Sequence, residues 1–467
     1  MSFYITTAIP YVNAAPHLGH ALELVQADVL ARHRRGRGEP VRFLTGTDDN
    51  ALKNVTAARA AGVGVRDFVD ANASRFSALR DPLGLSFDDF IRTGTDPRHA
   101  SGVARLWRSC AASGDFYRRA YEGWYCNGCE QFVDRLCPEH PVPPERVTEE
   151  NWFFRLSRYT GRILDLIESG RLRIEPAPRR NEVLAFVRAG LEDFSVSRPA
   201  SRAAGWGIPV PDDPDQVVYV WWDALANYVT ALGSGADYDR WWGGPGSAER
   251  VHVIGKGIVR FHAVHWPALL LSAGLPPPTT IFVHDYLTVD GAKLSKSAGN
   301  AVDPQALTAQ YGADAVRWWL LRDVARVGDT DFTAARLVHR YNADLANGLG
   351  NLVNRTLARG PVPAAPPLAP GLPAVVGTAL EAFDFRAATT ALCAAVGEAN
   401  RYIESERPWA ATGPRRDEVL ATLVATVRAL AGELAPFLPG AAARLEAQLR
   451  TGRPGVPFPR RPAGQSR

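Results

Sequence analysis

Apolar positions near the start of the chain alternate between short continuous runs and runs with helical spacing. The continuous runs predict buried strands, and the spaced runs predict helices. The predicted strands are Ser2–Ala8 and Val41–Leu44. The first predicted helix begins near Pro16 and runs through Ala21–Arg34, and two more helices are predicted over Ala51–Ala61 and Val65–Leu79. Strands that alternate with helices in this way indicate a parallel α/β sheet.

The pattern changes twice further along the chain. Between Phe116 and Arg146, cysteines, aromatic residues and prolines replace helical spacing, which predicts an inserted subdomain. Strands then resume at Val217–Trp221, Val251–Ile254 and Thr280–Val283. After about Gly328 the spacing is helical throughout, over Leu337–Leu357, Phe385–Glu404 and Glu418–Leu434. The last residues, 451–467, are rich in Pro, Gly and Arg, which predicts a disordered tail.

Composition sets the broad class of protein. A chain of 467 residues is too long for one core, so two to four domains are expected. The N-terminus lacks a basic segment followed by an apolar run, and no apolar stretch is long enough to cross a bilayer. A cytoplasmic protein with no membrane partner is therefore predicted. The net charge of +4 is too small to predict nucleic-acid binding by itself.

The first chemical motif is His17-Leu18-Gly19-His20, which follows Pro16. Pro16 suits the first position of a helix, and the N-terminus of a helix attracts phosphate. His17 and His20 lie one turn apart there and can stabilise charge that develops on a phosphate, while Gly19 allows close approach of a nucleotide. Two histidines three residues apart are also common as ordinary surface or core features, and this alternative stays open for the motif alone.

A second motif, Lys293-Leu294-Ser295-Lys296-Ser297, lies among glycines and small residues. The chain has four lysines, and three of them are Lys256, Lys293 and Lys296. A cationic loop of this kind can close over a polyphosphate and stabilise a pyrophosphate leaving group. A solvated basic turn is the alternative for the loop alone. The two motifs together predict a nucleotide-activating site.

Four potential metal ligands are spaced as in a zinc knuckle. Cys126 and Cys129 are separated by two residues, and after seven more residues come Cys137 and His140. Three thiolates and one imidazole suit tetrahedral Zn²⁺, and four protein ligands close the site, so a structural Zn²⁺ is predicted. A disulfide is disfavoured in a cytoplasmic chain.

These motifs resemble those of the class I aminoacyl-tRNA synthetases, whose two signatures match His17–His20 and Lys293–Ser297. Within that class the chain resembles the methionyl-tRNA synthetase family from about Phe3 to Leu434. The matching stretches include Thr6–Tyr11, Phe43–Asp48, Arg180–Val183, Tyr219–Trp221, Phe282–His284 and Asn347–Arg355. The resemblance implies a Rossmann-type α/β catalytic domain with a zinc-knuckle insert, followed by an all-α anticodon-binding domain.

The resemblance also implies domain limits. The expected catalytic domain comprises residues 1–112 and 201–300, and the connective insert 113–200 lies between these halves. A stem-contact region is expected over 301–340, the anticodon-binding domain over 341–450 and the tail over 451–467. The chain ends without an obvious dimerising tRNA-binding module, which predicts a monomer.

Site residues follow from the resemblance position by position. The catalytic set is His17, His20, Lys293, Lys296 and Arg198, the last expected to contact a phosphate or carboxylate. ATP, with Mg²⁺, is expected to contact Pro16, Gly19, Gly255, Lys256, Ser295 and Ser297. The methionine pocket is expected to contain Ala8, Ile9, Tyr11, Trp221, Ala224, Tyr228 and His284, with Asp48 holding the substrate ammonium group. An aromatic slot suits an unbranched thioether, although each residue alone could be ordinary core.

Three residues are expected to read the methionine anticodon, CAU, of the tRNA partner. Asn351 and Arg355 lie four apart on one helix face, and Trp409 can stack on an unpaired base. A helix cap and a packing tryptophan are the alternative. The match to the family's anticodon-reading residues favours the RNA interpretation.

The chain departs from the family pattern near the predicted active site. Gly257 stands where the family has an Asp that contacts the adenosine ribose, and Asn50 and Ala51 replace a His and a Gly. Asp285 replaces a glycine and adds a carboxylate near the pocket. Three hypotheses therefore stand: a methionine–tRNA ligase, including a divergent second copy; a paralogue that adenylates another amino acid; and a non-catalytic tRNA-binding protein. Retention of both signatures and of the anticodon residues favours the first.

Overall fold

The structure is a computed structural model that describes residues 2–126, 131–133, 136–137, 143–244, 246, 248–294, 300–357, 363–452 and 455–462. The strands in this part of the chain are β1 (Phe3–Thr7), β2 (Val41–Thr47), β3 (Asp89–Arg92), β4 (Phe116–Cys126), β5 (Gln131–Val133), β6 (Glu145–Phe154), β7 (Arg173–Glu175), β8 (Phe194–Ser195), β9 (Ser197–Pro199), β10 (Pro209–Val210), β11 (Asp213–Val218), β12 (Glu249–Gly255), β13 (Thr280–His284), β14 (Leu287–Val289), β15 (Ala292–Lys293) and β16 (Thr330–Asp331).

The α-helices are α1 (Leu18–Gly36), α2 (Leu52–Ala60), α3 (Val65–Ser77), α4 (Arg80–Leu83), α5 (Pro97–Ala112), α6 (Thr160–Glu168), α7 (Ala177–Arg188), α8 (Val220–Thr230), α9 (Ala236–Tyr238), α10 (Trp266–Ser272), α11 (Pro304–Tyr311), α12 (Ala313–Arg322), α13 (Ala334–Tyr341), α14 (Gly350–Leu357), α15 (Leu372–Glu381), α16 (Phe385–Glu406), α17 (Gly413–Leu434) and α18 (Pro439–Thr451). Short 3-10 turns span Leu156–Tyr159 and Lys256–Ile258, and π-helical turns span Asp239–Gly243, Phe261–His265 and Asn342–Leu349.

Contacts divide the chain into two compact units. The first comprises residues 1–16, 39–78 and 87–284, and the second comprises 17–38, 79–86 and 285–467. Helix α1, which follows the first strand, therefore belongs by its contacts to the second unit. The domain limits expected from the sequence place this helix with the catalytic domain, so the two divisions differ at this point.

The first unit is built on a six-stranded sheet in the order β3-β2-β1-β12-β13-β7, with every pair parallel. Strand β1 is buried along its whole length, as expected for a central strand covered on both faces. The order reverses between β1 and β12, since the chain adds β2 and β3 on one side and β13 on the other. Ligands of open α/β sheets bind at the carboxyl ends of strands at this type of position. The predicted parallel α/β sheet is confirmed.

The insert of the first unit is a four-stranded antiparallel sheet in the order β5-β4-β6-β8. Strands β4 and β6 pair continuously from Phe116 opposite Phe154 to Tyr125 opposite Glu145. Aromatic side chains from these strands pack together, for example Phe154 with Phe194. The change of composition that marks this segment in the sequence thus corresponds to a change from parallel to antiparallel structure.

One predicted strand is wrong at its end. The sequence predicts a strand over Val217–Trp221, but β11 ends at Val218 and α8 begins at Val220, with Tyr219 as its N-cap. The run is buried in both elements, and a continuous apolar run does not distinguish a buried strand from a buried helix.

Helices dominate the second unit, as the sequence predicts. Arg317 of α12 is fully buried and lies 2.8 Å from the Asp28 carboxylate of α1. Its guanidinium also donates to the carbonyl oxygens of Leu83, Pro436 and Phe437 at 2.7 to 3.0 Å. Because all these groups are out of water, one side chain joins α1, α4, α12 and the segment before α18.

Residues 455–462 belong to the segment that is predicted to be disordered, yet they pack against the helices of the second unit. Phe458 is buried, and its ring lies edge-on to Tyr341. Arg461 exchanges two backbone hydrogen bonds with the side-chain amide of Asn342. Among the described residues, no helix is long and apolar enough to span a membrane.

Candidate active site

In the second unit, the His17–His20 motif forms the start of α1. His17 is the N-cap, and its Nδ1 accepts a hydrogen bond from Gly19 N–H at 3.1 Å. The N–H of His17 donates in return to Nδ1 of His20 at 3.0 Å, which completes a capping box. Pro16 therefore precedes the N-cap, and its predicted place at the first helical position is wrong.

The capping box fixes which ring nitrogens carry protons. A neutral imidazole whose Nδ1 accepts a hydrogen bond carries its proton on Nε2. The two rings stack with centroids 3.9 Å apart. His17 and His20 can thus act as a pair of Nε2–H donors at the positive end of a helix, an arrangement that suits a phosphate oxygen.

Gly19 is needed for this geometry. A Cβ at this position would lie 2.9 Å from Cε1 and 3.0 Å from Nδ1 of His17, closer than real Cβ contacts allow. A side chain here would displace the His17 ring from its capping position. From the sequence, a glycine is expected at position 19 because a nucleotide approaches the backbone closely there. In the structure, the group that a side chain at this position would meet is the His17 ring.

The second motif begins in the same unit. Strand β15 ends at Lys293 and pairs with β14 across a turn in which Asp290 and Gly291 both have positive φ, 53° and 74°. Asp331 accepts a hydrogen bond from Gly291 N–H, which lowers the pKa of its carboxyl, and holds this turn. Ser295, Lys296 and Ser297 lie outside the described residues. After the loop, the carbonyl of Val302 accepts from Leu18 N–H at 2.9 Å, so Val302 lies at the start of α1.

In the first unit, the carboxyl ends of β1 and β12 lie side by side. Ala8 N–H donates to the carbonyl of Val253, and β12 ends at Gly255, followed by the turn that contains Lys256. His284 is paired with Gly255 across β12 and β13. His284 therefore lies beside Gly255, which is predicted to bind ATP, while His284 itself is predicted to line the methionine pocket.

Asp48 follows β2 at the same edge of the sheet. Its N–H donates to the carbonyl of Pro10 at 2.9 Å, and it forms an isolated parallel bridge with Tyr11. Asp48 is fully buried. Its Oδ1 accepts from the N–H of Asn50 at 3.1 Å, and Asn54 donates to its carbonyl oxygen. At Oδ1 the carboxylate is thus held by the turn of the first unit on which it lies.

Aromatic rings and a histidine pack together beside this turn. Trp221 stacks on Phe261 with centroids 3.8 Å apart, and Tyr11 lies 6.3 Å from Trp221. Tyr228, on the same helix as Ala224, is buried, and its hydroxyl lies 2.8 Å from Nε2 of His262. These contacts bring together four of the predicted pocket residues, Tyr11, Trp221, Ala224 and Tyr228, in one region of the first unit.

Phe261 and His262 are missing from the sequence predictions. Nδ1 of His262 lies 3.0 Å from the carbonyl of Ile258, to which it donates. Nε2 then accepts from the Tyr228 hydroxyl. Burial lowers the pKa of His262 to about 4, so the ring is neutral near pH 7. A concentration of His and aromatic residues just after β12, from Phe261 to Trp266, is the sequence signal that could have indicated this position.

Arg198 occupies a different environment from the predicted one. Its side chain is buried, and its guanidinium stacks 4.3 Å from the ring of Tyr219 and 5.2 Å from that of Tyr125. Nη1 donates to Ser195 Oγ and to the carbonyl of Ser197, both at 2.7 Å. These contacts fit a packing role rather than contact with a phosphate.

Two of the departures from the family pattern have structural explanations. In the second unit, the Asp285 carboxylate accepts from Gly328 N–H at 2.6 Å, so its partner is backbone rather than a ligand pocket. Asn50 donates from Nδ2 to Asp223 at 2.7 Å. Gly257 lies exposed in the 3-10 turn after β12.

In the helical part of the second unit, two of the three predicted RNA-contacting residues lie together. The guanidinium of Arg355 lies 4.9 Å from the ring of Trp409 and pairs with Glu404 at 2.6 Å. Trp409 is 44% exposed, so part of its side chain is open to solvent. Asn351 lies exposed on the same helix as Arg355.

The predicted zinc ligands are only partly within the described residues. Cys126 is buried at the end of β4, and Cys137 is half-buried. Cys129 and His140 lie outside the described residues. In the described ranges alone, no three His, Cys, Asp or Glu side chains are grouped as metal ligands.

Comparison with known families gives a match over most of the chain. The model of the family described as tRNA synthetases class I (M) matches residues 3–143 and 136–357. The chain belongs to this family.

Individual members of the family are similar along almost their whole length. The methionine–tRNA ligase of Brucella suis biovar 1 is 42% identical over 474 residues, which cover 95% of this chain and 90% of that protein. The methionine–tRNA ligase of Mycobacterium bovis is 43% identical over 437 residues, covering 87% and 82%. The structure of Mycobacterium tuberculosis methionyl-tRNA synthetase in complex with methionyl-adenylate superposes with a TM-score of 0.90 at 37% identity, covering 98% of this chain and all of that one.

Proposed function

We propose that this chain is a methionine–tRNA ligase that joins methionine to its tRNA through a methionyl-adenylate intermediate. The observation that carries the choice of amino acid is the aromatic group formed by Trp221, Phe261, Tyr228 and His262. A thioether is apolar and polarisable, so it suits stacked aromatic rings and a neutral polar handle. The solved relative bound to methionyl-adenylate supports the same reaction.

In the first step, the carboxylate of methionine attacks the α-phosphate of ATP, and the bond to the β-phosphate oxygen breaks to release pyrophosphate. The Asp48 carboxylate holds the substrate ammonium group, and the Nε2–H groups of His17 and His20 donate to phosphate oxygens as negative charge develops. Lys293 and Lys296 neutralise the leaving pyrophosphate. ATP binds as its Mg²⁺ complex, which supplies further charge neutralisation. Ala8, Ile9, Gly255 and Lys256 form the edge of the sheet along which the adenylate lies.

In the second step, the terminal ribose hydroxyl of the tRNA attacks the carbonyl carbon of the adenylate, and AMP leaves. Arg355 and Trp409 form a stacking surface for an unpaired anticodon base, with Asn351 as a donor and acceptor for a base edge. The domain limits expected from the sequence remain part of this proposal, as does the monomeric state.

The residues near the end of β4 suit a structural Zn²⁺. The Cys126 thiol is removed from water, and two thiolates within this segment are soft ligands of the kind that Zn²⁺ prefers. Cys126, Cys129, Cys137 and His140 would hold the Zn²⁺ ion, which would cross-link this segment of the chain. We expect elemental analysis to find about one zinc per chain. Cys126→Ala should lose it, and Cys393→Ala, in helix α16, should retain it.

ATP–pyrophosphate exchange with each amino acid in turn tests the reaction and its substrate. We expect exchange with methionine alone. A preference for another amino acid would support a paralogue with changed specificity, and no exchange with any amino acid would support a tRNA-binding protein without catalysis.

Aminoacylation tests the tRNA step separately. Trp409→Ala should lower kcat/KM for tRNA by about 10- to 100-fold, since stacking on an aromatic ring contributes roughly 1–3 kcal/mol per base. Methionine-dependent exchange should stay unchanged in the same variant. Equal loss in both assays would show that the variant disturbs the fold and would contradict this assignment.

A further inference from the structure

A line of hydrogen-bonded side chains runs through the core of the first unit, from Asn50 to Thr230. Nδ2 of Asn50 donates to Oδ2 of Asp223 at 2.7 Å. Oδ1 of Asp223 lies 2.5 Å from Nε2 of His99, and Nδ1 of His99 lies 2.7 Å from Oγ1 of Thr230. We refer to these four side chains as the core network.

Three members of the core network are out of contact with water. His99 is 0% exposed, and Asp223 and Thr230 are each 1% exposed. A buried carboxylate and imidazole are costly unless each is fully hydrogen-bonded, and apolar groups of the same shape are often at least as stable. General stability therefore does not explain why polar groups occupy these positions.

The core network ends at the turn that carries Asp48. Asn50 contributes at both ends of this connection, because its side chain donates to Asp223 and its backbone N–H donates to Oδ1 of Asp48. The orientation of Asn50 is therefore linked to the orientation of the Asp48 carboxylate. Asn54 supports the backbone of the turn through the carbonyl oxygens of Asp48 and Asp49.

Asp223 is held from two sides. A carboxylate only accepts hydrogen bonds, so Nε2 of His99 carries a proton and donates to it, as the Asn50 amide does. The two donors bind different oxygens and fix the rotation of the carboxylate. Thr230 fixes the His99 ring from its other nitrogen. Loss of either donor would allow Asp223 to turn and would release the Asn50 side chain.

We propose that Asp223 and His99 are positioning residues for amino-acid binding, which act through Asn50 to hold the Asp48 carboxylate in place for the substrate ammonium group. This inference rests on the proposed function, in which Asp48 binds that group. His99 and Asp223 lie 124 positions apart in the sequence. Neither of them belongs to the aromatic group of Trp221, Phe261, Tyr228 and His262.

Asp223→Asn is the first test. The new amide can keep both hydrogen bonds only if the Asn50 amide turns over or the His99 proton moves to Nδ1, so a member of the core network must change its state, and both bonds lose the charge of the carboxylate. We expect the KM for methionine in ATP–pyrophosphate exchange to rise about 10-fold, the effect of one lost hydrogen bond to a charged group. The kcat and the KM for ATP should stay within about twofold, because the phosphate-binding groups lie elsewhere in the sequence.

A double variant separates positioning from a general loss of structure. Asn50→Asp combined with Asp223→Asn exchanges the two groups, so that the amide at 223 donates to the carboxylate at 50 and its carbonyl oxygen accepts from His99. We expect most of the loss in methionine KM to be recovered. Asn50→Asp alone places two carboxylates in contact and should raise the KM for methionine further than Asp223→Asn does.

Ser272→Ala serves as a structural control. Ser272 is buried in the same unit and donates to Asp115 at 2.7 Å, outside the core network. We expect it to lower the Tm without a change in methionine KM. If Asp223→Asn does not fold, His99→Gln and Thr230→Val carry the same test, with increases in methionine KM of about 5- to 10-fold and about threefold, respectively.

Three results would overturn the inference: an unchanged methionine KM in the folded network variants, an equal change in the KM values for methionine and ATP, or a failure of the exchanged double variant to recover. These results are distinguishable from failure of the proposed function. In that case the unaltered chain itself would show no methionine-dependent exchange.

Discussion

Nδ1 of His17 accepts a hydrogen bond from the backbone of Gly19, so the ring is oriented by the helix that it begins. The same ring is proposed to donate from Nε2 to phosphate. These two roles use opposite nitrogens, and substitutions can separate them. Asn is a strong N-cap residue whose Oδ1 can replace Nδ1, but it has no group in the place of Nε2–H.

We expect His17→Asn to keep the Tm close to that of the unaltered chain and to lower the kcat of methionine-dependent exchange by about 100- to 1000-fold, the usual effect of removing one donor to a developing negative charge. Asp384→Asn is a matched control, because Asp384 caps α16 in the same way by accepting from Ala387 N–H. Normal turnover in His17→Asn would contradict the proposed role of Nε2.

Gly257 is a second position at which a single residue decides an interaction. An aspartate there would place a carboxylate after β12, where the family contacts the ribose hydroxyls. We expect Gly257→Asp to lower the KM for ATP by about 10-fold, since hydrogen bonds to charged groups contribute roughly 1.5–3 kcal/mol. Gly257→Asn, with the same shape and no charge, should have a smaller effect. Equal KM values for ATP in all three proteins would show that the absent ribose contact does not limit binding.

Between elements, the crossing of α5 and α8 depends on Gly102. A Cβ there would lie 2.4 Å from Cγ2 and 2.8 Å from Cβ of Thr230, so the helices could not keep their separation. Thr230 is also the outer end of the core network. Close packing of two helices and orientation of a buried histidine thus meet at the same side chain.

Gly102→Ala should decrease the free energy of unfolding by about 1–3 kcal/mol, the usual cost of overpacking a core, and should also raise the KM for methionine. Gly432→Ala is the control, since Gly432 lies exposed in α17 with nothing near its Cβ position. There we expect a gain of about 0.5–1 kcal/mol from helix propensity. Denaturant unfolding measures the change in the free energy of unfolding for both variants. A neutral result at Gly102 would mean that the helices adjust without cost.

Element by element, the sequence predicts four of the six strands of the parallel sheet, β1, β2, β12 and β13, because these contain continuous buried runs, whereas the short strands β3 and β7 are not predicted. The junction of β11 and α8 is predicted less well, since apolar residues continue from Val217 into the helix and hide the boundary. The capping role of His17 could not be expected from residue preferences, because histidine is not among the usual N-cap residues.

The predicted site residues divide along similar lines. Tyr11, Trp221 and Tyr228 come together because two of them lie on one helix and the third follows β1. Arg198 and Asp285 are charged residues in the expected neighbourhood of the site, but Arg198 donates to Ser195 and Ser197, and Asp285 accepts from Gly328 N–H. Sequence position alone could not reveal this, because hydrogen bonds to nearby backbone carbonyls and amides depend on the conformation of the chain.

At the scale of a whole unit, stability in the second unit depends on the buried pair of Asp28 and Arg317. Burial disfavours the ionised carboxyl, yet Arg317 and Arg32 hold the pKa of Asp28 below its ordinary value. The pair therefore contributes stability above the ordinary carboxyl pKa, and this contribution is lost as the pH falls through the lowered value.

Arg317→Met removes one of the two arginines that pair with the buried Asp28 carboxylate, together with the donor to three buried carbonyl groups, and should decrease the free energy of unfolding at pH 7 by about 3–5 kcal/mol. The difference from the unaltered chain should shrink as the pH is lowered, because protonation of Asp28 removes the buried charge. Asp28→Leu combined with Arg317→Met removes both charges and should recover most of the loss. Urea unfolding at pH 7 and at pH 4 tests this, and a single variant as stable as the unaltered chain would contradict it.

Helix α1 has a consequence for how the gene can be divided. The helix is encoded near the start of the chain, but Leu18 is hydrogen-bonded to Val302 and Asp28 is paired with Arg317. A fragment that stops at His284 would leave Leu18 without Val302 and the buried Asp28 carboxylate without Arg317. We expect such a fragment to be degraded when it is made alone. Split genes that cut here should yield protein only when both halves are expressed in the same cell.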